Sequence, residues 1–287
     1  MPLDWNNPEL LHEASIAISK AVDKAIEDAD IEGYRAHLGA SVIGNECLRY
    51  LFYHFRWMHR ETYSGRELRI FHAGHLFEPR LRYWLRQVGF QFIDGVEDGN
   101  AQYQFRAIHG HFGGSVDGIF VAPDWGINEP TLLECKTSGT GTGFNNLDRG
   151  IYEAKPQHYI QDSVYGKGLA IHQCLYVAEN KNDSDWKFIL TKLDENLADE
   201  AWRKAEFIIL EATEPPKKIS QKRNYYLCNM CKMQGICHDS MPTDINCRSC
   251  KNAKAIENAQ WYCNHWNAVI PPSAILNGCP DHNPIQR

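Results

Sequence analysis

An α/β fold closed by a cysteine-rich tail is what the sequence predicts, and three observations predict it. Apolar residues recur at helical spacing in four stretches, 8–30, 66–88, 155–168 and 194–212. Between them lie short β-branched and aromatic runs bounded by Gly, Pro, Asn and Asp, at 89–93, 102–108, 114–121, 131–136, 174–178 and 186–190. After Pro215-Pro216 the apolar periodicity fades and cysteines crowd together, which marks a boundary between a core and a metal-organised tail.

Size and composition narrow the class. A chain of 287 residues holds one large domain, or one with a small appendage. Its hydrophobic content of 43% is ordinary for a globular protein. No window approaches the ~18 apolar residues of a membrane span. The start, Met1-Pro2-Leu3-Asp4-Trp5, lacks the basic and apolar regions of a secretory signal, so the cytoplasm is the expected compartment. Ten cysteines in such a compartment read as metal ligands, and seven of them fall between Cys228 and Cys279. A net charge of −6 argues against a bulk electrostatic nucleic-acid binder. Between Arg49 and Arg86, however, eight arginines face three acids, interleaved with Tyr53, Phe55 and Trp57. Any one of them reads as part of a solvated helix face. As a group they form a candidate surface for tracking a nucleic-acid backbone.

Taken in order, the 8–30 helix is amphipathic through Leu11, Ala14, Ile18, Val22 and Ala25 and is expected to pack on the body. Ser41 suits a helix cap. Cys47 falls early in the next helix and by itself reads as a small buried hydrophobe. In the 66–88 helix His75 and Glu78 are three apart and share a face. Pro79 predicts a kink or a restart. The pair of runs at 114–121 and 131–136 reads as strand, turn and strand. Residues two apart on a strand share a face, so Glu134 and Lys136 point one way and Cys135 the other. Asp117 reaches the same face. An acid and a lysine side by side on a buried strand are costly unless they act. Two carboxylates and a lysine on adjacent strands are what it takes to hold Mg²⁺ beside a phosphate and aim a water. The glycine-rich 138–144 lacks the Gly-Lys-Ser/Thr ending of a phosphate-binding loop and is expected to be a mobile loop at a cleft mouth. Gln161 and Tyr165, four apart, share one face of the 155–168 helix.

The cysteines divide into two sets. Cys228-x2-Cys231-x5-Cys237 supplies three local sulfurs, with Cys47 the remote candidate for a fourth. Cys247-x2-Cys250-x12-Cys263 is a zinc-ribbon-like spacing, with Cys279, His265 or His282 as fourth ligand. Spacing alone does not separate iron–sulfur from zinc.

These residues together resemble the PD-(D/E)xK nucleases of the RecB-like kind, especially phage-encoded exonucleases and the related CRISPR-adaptation nucleases. The matching elements are Ser41 to Arg49, Gly74-His75-x2-Glu78, Gly114-x2-Asp117-Gly118, Glu134-x-Lys136, Gln161-x3-Tyr165 and Cys228-x2-Cys231-x5-Cys237. The resemblance implies a restriction-endonuclease-like core, a mixed central sheet flanked by helices. It implies that Asp117, Glu134 and the Cys135 carbonyl bind Mg²⁺ or Mn²⁺, with Glu78 and His75 completing the shell. Lys136 would orient or help deprotonate the attacking water, and Gln161 and Tyr165 would position DNA or the lysine. Cys47, Cys228, Cys231 and Cys237 would hold a [4Fe–4S] cluster. Arg49, Arg80 and Arg82 would contact DNA.

The expected organisation is a helical segment at 1–37, a nuclease domain at 38–240 and a zinc-ribbon-like module at 241–287. The expected activity is metal-dependent DNA hydrolysis, exonucleolytic, in phage-type recombination, replication or repair, with a single-strand annealing or recombination protein as partner and no membrane. A non-cleaving DNA-binding module, a structure-specific endonuclease and an iron–sulfur redox protein are the alternatives.

Overall fold

A computed structural model describes residues 4–30, 33–93, 102–139 and 141–286. The chain begins with α1 (Pro8–Ala29), β1 (Leu38–Gly39), the one-turn α2 (Ala40–Ile43), α3 (Leu48–Phe55) and α4 (Gly65–Gln87). Strands β2 (Gln91–Phe92), β3 (Gln104–Ala107), β4 (Phe112–Ser115), β5 (Gly118–Ala122) and the long β6 (Ile127–Ser138) follow. One-turn helices α5 (Thr142–Asn145) and α6 (Ile151–Ala154) lead into α7 (Pro156–Leu169), β7 (Gln173–Asn180), β8 (Trp186–Lys192) and α8 (Glu195–Glu206). Beyond Pro216 come α9 (Tyr226–Asn229), α10 (Gln234–His238) and the strands β9 (Ala253–Ala255), β10 (Trp261–Cys263) and β11 (Ala268–Ile270).

The central layer is a five-stranded sheet in the order β2-β5-β6-β7-β8. β6 and β7 are parallel, joined by a crossover through α7, while the other pairs are antiparallel. The sheet is therefore mixed, and the alternation along β6 shows how it is covered. Leu133 and Cys135 pack with Phe77, Leu81 and Leu85 of α4. Leu132 packs into the larger core that holds Val164 and Tyr165 of α7. A helix thus lies on each face of β6, as an α/β layer requires to bury both sides of a strand.

Several expectations need correction. The run 114–121 is not one strand. It breaks at Val116-Asp117, where the chain leaves a three-stranded sheet (β1-β4-β3) and enters the five-stranded one. The first half is small residues and the second apolar, and neither marks which strand it pairs with, so the change of partner is not written in the local pattern. α1 has no buried residue. It meets α4 through polar contacts, an Arg69–Asp23 ion pair and the Gly65 amide on Glu27 at 2.8 Å, while Ile18 and Val22 stay exposed. Ser41 lies inside α2, and the N-cap position of α3 is Cys47, whose amide is held by Asn45 Oδ1 at 2.8 Å. α4 is opened by a capping box between Ser64 and Glu67 and runs through Pro79 as one helix. The glycine-rich stretch is partly ordered structure: α5 lies in it and Phe144 is buried, while Thr140 lies outside the described residues. The expected 194–212 helix ends as α at Glu206 and finishes in a π turn, Phe207–Glu211.

The tail shares its core with the body, since Ala253, Trp261, Ile270 and Ile285 join the same cluster as Phe52, Phe55 and Phe112. Arg49 fastens the crossing between them. Its Nε donates to Pro216 O at 2.6 Å, one terminal nitrogen to Pro215 O at 3.3 Å and the other to Tyr53 Oη at 3.0 Å. Arg49→Ala is expected to destabilise the chain by about 1.5–3 kcal/mol, because two carbonyls lose a charged donor. Urea unfolding followed by tryptophan fluorescence checks this, and an unchanged midpoint would remove Arg49 from the structural account.

Candidate active site

The break before β5 sets Asp117 at the start of a strand instead of in its middle. Its carbonyl accepts from Arg82 of α4 at 2.7 Å, and its carboxylate accepts from the Cys135 amide at 2.7 Å. The acid is thereby held at both ends of its residue, between β5 and β6. Glu134 is 2% exposed and meets the Lys136 ammonium, two residues along the same face. Gln161 of α7 donates from Nε2 to Glu134 at 2.9 Å and to Tyr165 Oη at 3.1 Å. The expected pairing of Gln161 with Tyr165 on one helix face is therefore present, and it points at the strand acid. Glu78 comes from α4 on the other side, accepting from Gln102 at 3.2 Å. His75 is exposed, one turn before it, and within electrostatic reach of Asp117.

Gly114 shows why the site needs a residue without a side chain. A Cβ there would stand 2.5 Å from the Tyr165 ring and 3.3 Å from Ala40 Cβ. Gly114→Ala is expected to push Tyr165 off Gln161 at a cost of about 1–3 kcal/mol. A Gly114→Ala chain as stable as the parent, by thermal unfolding, would show that the ring can give way.

Electrostatics single out the same groups. Burial, with the nearby Asp117 and Glu134 charges adding, pushes Glu78 up to about 7. Burial also pushes Glu134 up to about 7, with Lys136 opposing and Asp117 adding. Asp117 is raised by burial, against the pull of Lys136 and the Cys135 amide. For Lys136 burial acts downward, but Glu134 and Asp117 more than offset it and hold the ammonium well above the ordinary lysine range. The site thus carries more acid than the lysine balances.

Two residues of this cluster escape sequence reading. Asp162 is fully buried, and neither carboxylate oxygen has a hydrogen-bond partner. Burial and then Glu134 drive its carboxyl well above the usual range. His158 Nδ1 lies 2.8 Å from Tyr176 Oη, and burial with Lys136 and Lys155 nearby holds its imidazole down to about 3, in the neutral form. Spacing could have flagged both: Asp162 is three before Tyr165, and His158 three before Gln161.

The arginines expected on DNA are engaged within the fold. Arg82 is 5% exposed, with its guanidinium 4.1 Å from the Phe92 ring centre as well as on Asp117 O. Arg49 fastens the tail, as above. Arg80, half exposed, pairs with Glu179 over Trp186. All three guanidiniums thus make contacts within the fold, and Arg80 is the most exposed of them.

Each cysteine set lines a cavity of its own. Cys47, Cys228, Cys231 and Cys237 line one cavity of about 290 Å³. Burial pushes the Cys231 thiol up to about 11, and the Cys47, Cys237 and Cys228 thiols add to it. Cys247, Cys250, Cys263 and Cys279 line another of about 210 Å³. Among the described residues no group of three or more His, Cys, Asp or Glu side chains stands set to hold a single ion. An apolar cavity of about 470 Å³ beside Leu81, Trp84 and Trp186 includes none of the acids. Among the described residues no helix is long and apolar enough to cross a membrane.

No protein-family model and no curated protein matches the chain. Among solved structures it is similar to the alkaline exonuclease LHK-Exo from Laribacter hongkongensis, at 16% identity over 66% of this chain and 90% of that one, TM-score 0.44. It is similar to LHK-Exo in complex with dAMP over the same shares and at the same identity, TM-score 0.45. It is also similar to a protein named SSO0001, at 15% identity over 77% of this chain and 96% of that one, TM-score 0.43. Likenesses this remote carry no weight for function, which has to stand on the geometry of the site.

Proposed function

We propose that this chain is a divalent-metal-dependent deoxyribonuclease, with exonucleolytic cleavage favoured. The observation that carries the reading is the placement of Asp117, Glu134 and Lys136 on neighbouring strands, with Gln161 holding Glu134 and with Glu78 close enough to raise the charge density further. The donor set fits Mg²⁺ or Mn²⁺: hard carboxylate oxygens, crowded enough that two of them prefer a proton near neutrality. Asp117, Glu134 and the Cys135 carbonyl would hold the ion, with Glu78 and His75 beside them. When bound, such an ion polarises a phosphate oxygen and lowers the pKa of a coordinated water.

The chain's own residues supply the rest. Glu134 anchors the Lys136 ammonium at one position, so a fixed positive charge and a hydrogen-bond donor are aimed where charge builds up on a phosphate under attack. Gln161 keeps Glu134 from swinging away, and Tyr165 in turn accepts from Gln161. Arg82, through the Asp117 carbonyl, fixes the acid from the α4 side. The positioned groups thus need little rearrangement during the reaction, which is where much of the rate enhancement of such sites arises.

The first cysteine set fits a [4Fe–4S] cluster by donor type, as four thiols from separate stretches around one cavity. Cys47, Cys228, Cys231 and Cys237 would hold it and tie α3 to the segment after Pro216. The deciding experiment incubates end-labelled linear, circular and nicked DNA with the chain and Mg²⁺ or Mn²⁺. Release of nucleotides from linear DNA alone supports an exonuclease, and cleavage of closed circles an endonuclease. DNA binding without cleavage under every metal would sink the nuclease reading and leave a binding module.

A further inference from the structure

Two buried arginines, Arg56 at the end of α3 and Arg248 in the tail, meet where the tail packs on the body. Arg248, inside the Cys247-x2-Cys250 loop, is 1% exposed. Its guanidinium lies 4.2 Å from the ring centre of Trp57, 4.6 Å from that of Trp261 and 4.7 Å from that of Phe55. Its terminal nitrogens donate to the carbonyls of Ala36 and Phe55, and its Nε has no partner. Arg56 is 6% exposed and donates to Arg248 O at 2.5 Å and to Cys250 O at 2.6 Å. Among the described residues no carboxylate forms an ion pair with either one. Two buried positive charges side by side, satisfied only by carbonyls and aromatic faces, are expensive unless negative charge lies close at hand.

That charge has one evident source. The loop that Arg56 grips and Arg248 belongs to carries Cys247 and Cys250, and the cavity beside it is closed by Cys263 and Cys279. Two of the sulfurs already accept backbone N–H groups: Cys250 Sγ from Asn283 and Cys263 Sγ from Trp266, both at 3.4 Å. Of the histidine candidates, His282 lines this cavity with the four cysteines and His265 does not. His282 Nε2 lies 3.1 Å from the buried Ser249 Oγ, and His265, half exposed, faces Asp281 at 3.7 Å.

We propose that Cys247, Cys250, Cys263 and Cys279 form a closed tetrathiolate zinc site whose two net negative charges are balanced by the buried guanidiniums of Arg56 and Arg248. Four S–H bonds are given up, four Zn–S bonds form and four protons go to solvent, with no change of oxidation state. Among the described residues no three of these ligands converge on one point, so loading would draw the four sulfurs lining this cavity together, Cys247 leaving the Ala274 carbonyl it contacts at 3.7 Å. The role is architectural. It fixes the β9–β11 sheet onto α3, and it does not depend on what the acids around Asp117 do.

The test uses the full chain, stripped by chelator and reloaded with Zn²⁺, with bound metal measured by mass spectrometry and affinity by competition with a chromophoric chelator. Cys279→Ser and Cys263→Ser are expected to hold one zinc fewer than the parent, while His282→Ala and Cys228→Ser keep the zinc of this set. Arg56→Gln, which keeps a hydrogen-bond donor but loses the charge, is expected to bind about 10- to 100-fold more weakly. Arg56→Lys restores affinity to within a few fold. Unchanged zinc content in Cys279→Ser, or iron in place of zinc at this set, would overturn the site. If Arg56→Lys binds as weakly as Arg56→Gln, or Arg56→Gln as tightly as the parent, the charge balance is overturned and the arginines are only packing.

Discussion

On the proposed nuclease function, Lys136→Ala is expected to lower the rate of metal-dependent DNA cleavage by about 10²–10³-fold, the usual consequence of removing a preorganised donor from a site of developing negative charge. Among the described residues Lys136 is the sole cation paired with Glu134, and that contact holds its ammonium near the C-terminal end of β6. The alanine variant keeps the strand and its pairing with β7, because the side chain takes no part in the ladder. Asp117→Asn is expected to be at least as damaging while still accepting from the Cys135 amide, so that geometry survives and charge does not. Single-turnover cleavage of end-labelled DNA, together with circular dichroism of each variant, separates chemistry from folding. Full activity in both variants would remove this cluster as the active centre.

The second large effect is on pH. With metal removed, Glu78 and Glu134 take up protons near 7 in the folded chain, against 4.5 for an ordinary glutamate. The folded state therefore binds protons more tightly than the unfolded one between those values. The stabilisation from these two groups is complete below about 4.5 and is lost as pH rises through about 7. His158 and His37, held down to about 3 and about 4, act the other way below about 6.5. The glutamate contribution is therefore read as the difference between the parent and Glu78→Gln, which should lose less stability than the parent from pH 5 to pH 8. A divalent ion requires the ionised forms and reverses the trend, raising the melting temperature most at high pH. Cleavage follows the same protons. With two acids to be ionised, the rate falls below pH 7 by as much as about 100-fold per unit, and the limb moves to lower pH as the metal concentration rises. A chelated Glu78→Gln chain whose melting temperature follows pH as the parent's does, or a flat rate profile from pH 6 to 8, contradicts the crowding of carboxylates described above.

Much of the site was legible because it is written in short spacings. Glu134 and Lys136 share a strand face at a separation of two, and Gln161 and Tyr165 a helix face at four, and both relations are set by backbone periodicity alone. The Cys-x2-Cys pairs are local in the same sense. What escaped was set by partners far away in sequence. Asp162 looks like any helix acid until α7 is laid on β6 and buries it. Arg82 looks like part of a basic surface until Phe92 and the Asp117 carbonyl enclose it.

The sequence by itself determined the alternation of helices and strands, the two-sided patterning of β6, and the fact that two cysteine sets exist. Tertiary structure alone decided that the strand before Asp117 changes sheets, that α1 stays on the outside, and that Arg56 and Arg248 are buried where the Cys247–Cys250 loop meets α3. The physical reason is the range of the forces involved. Periodicity and turn chemistry act within a few residues, whereas strand pairing, desolvation and charge balance depend on which distant segment packs against which.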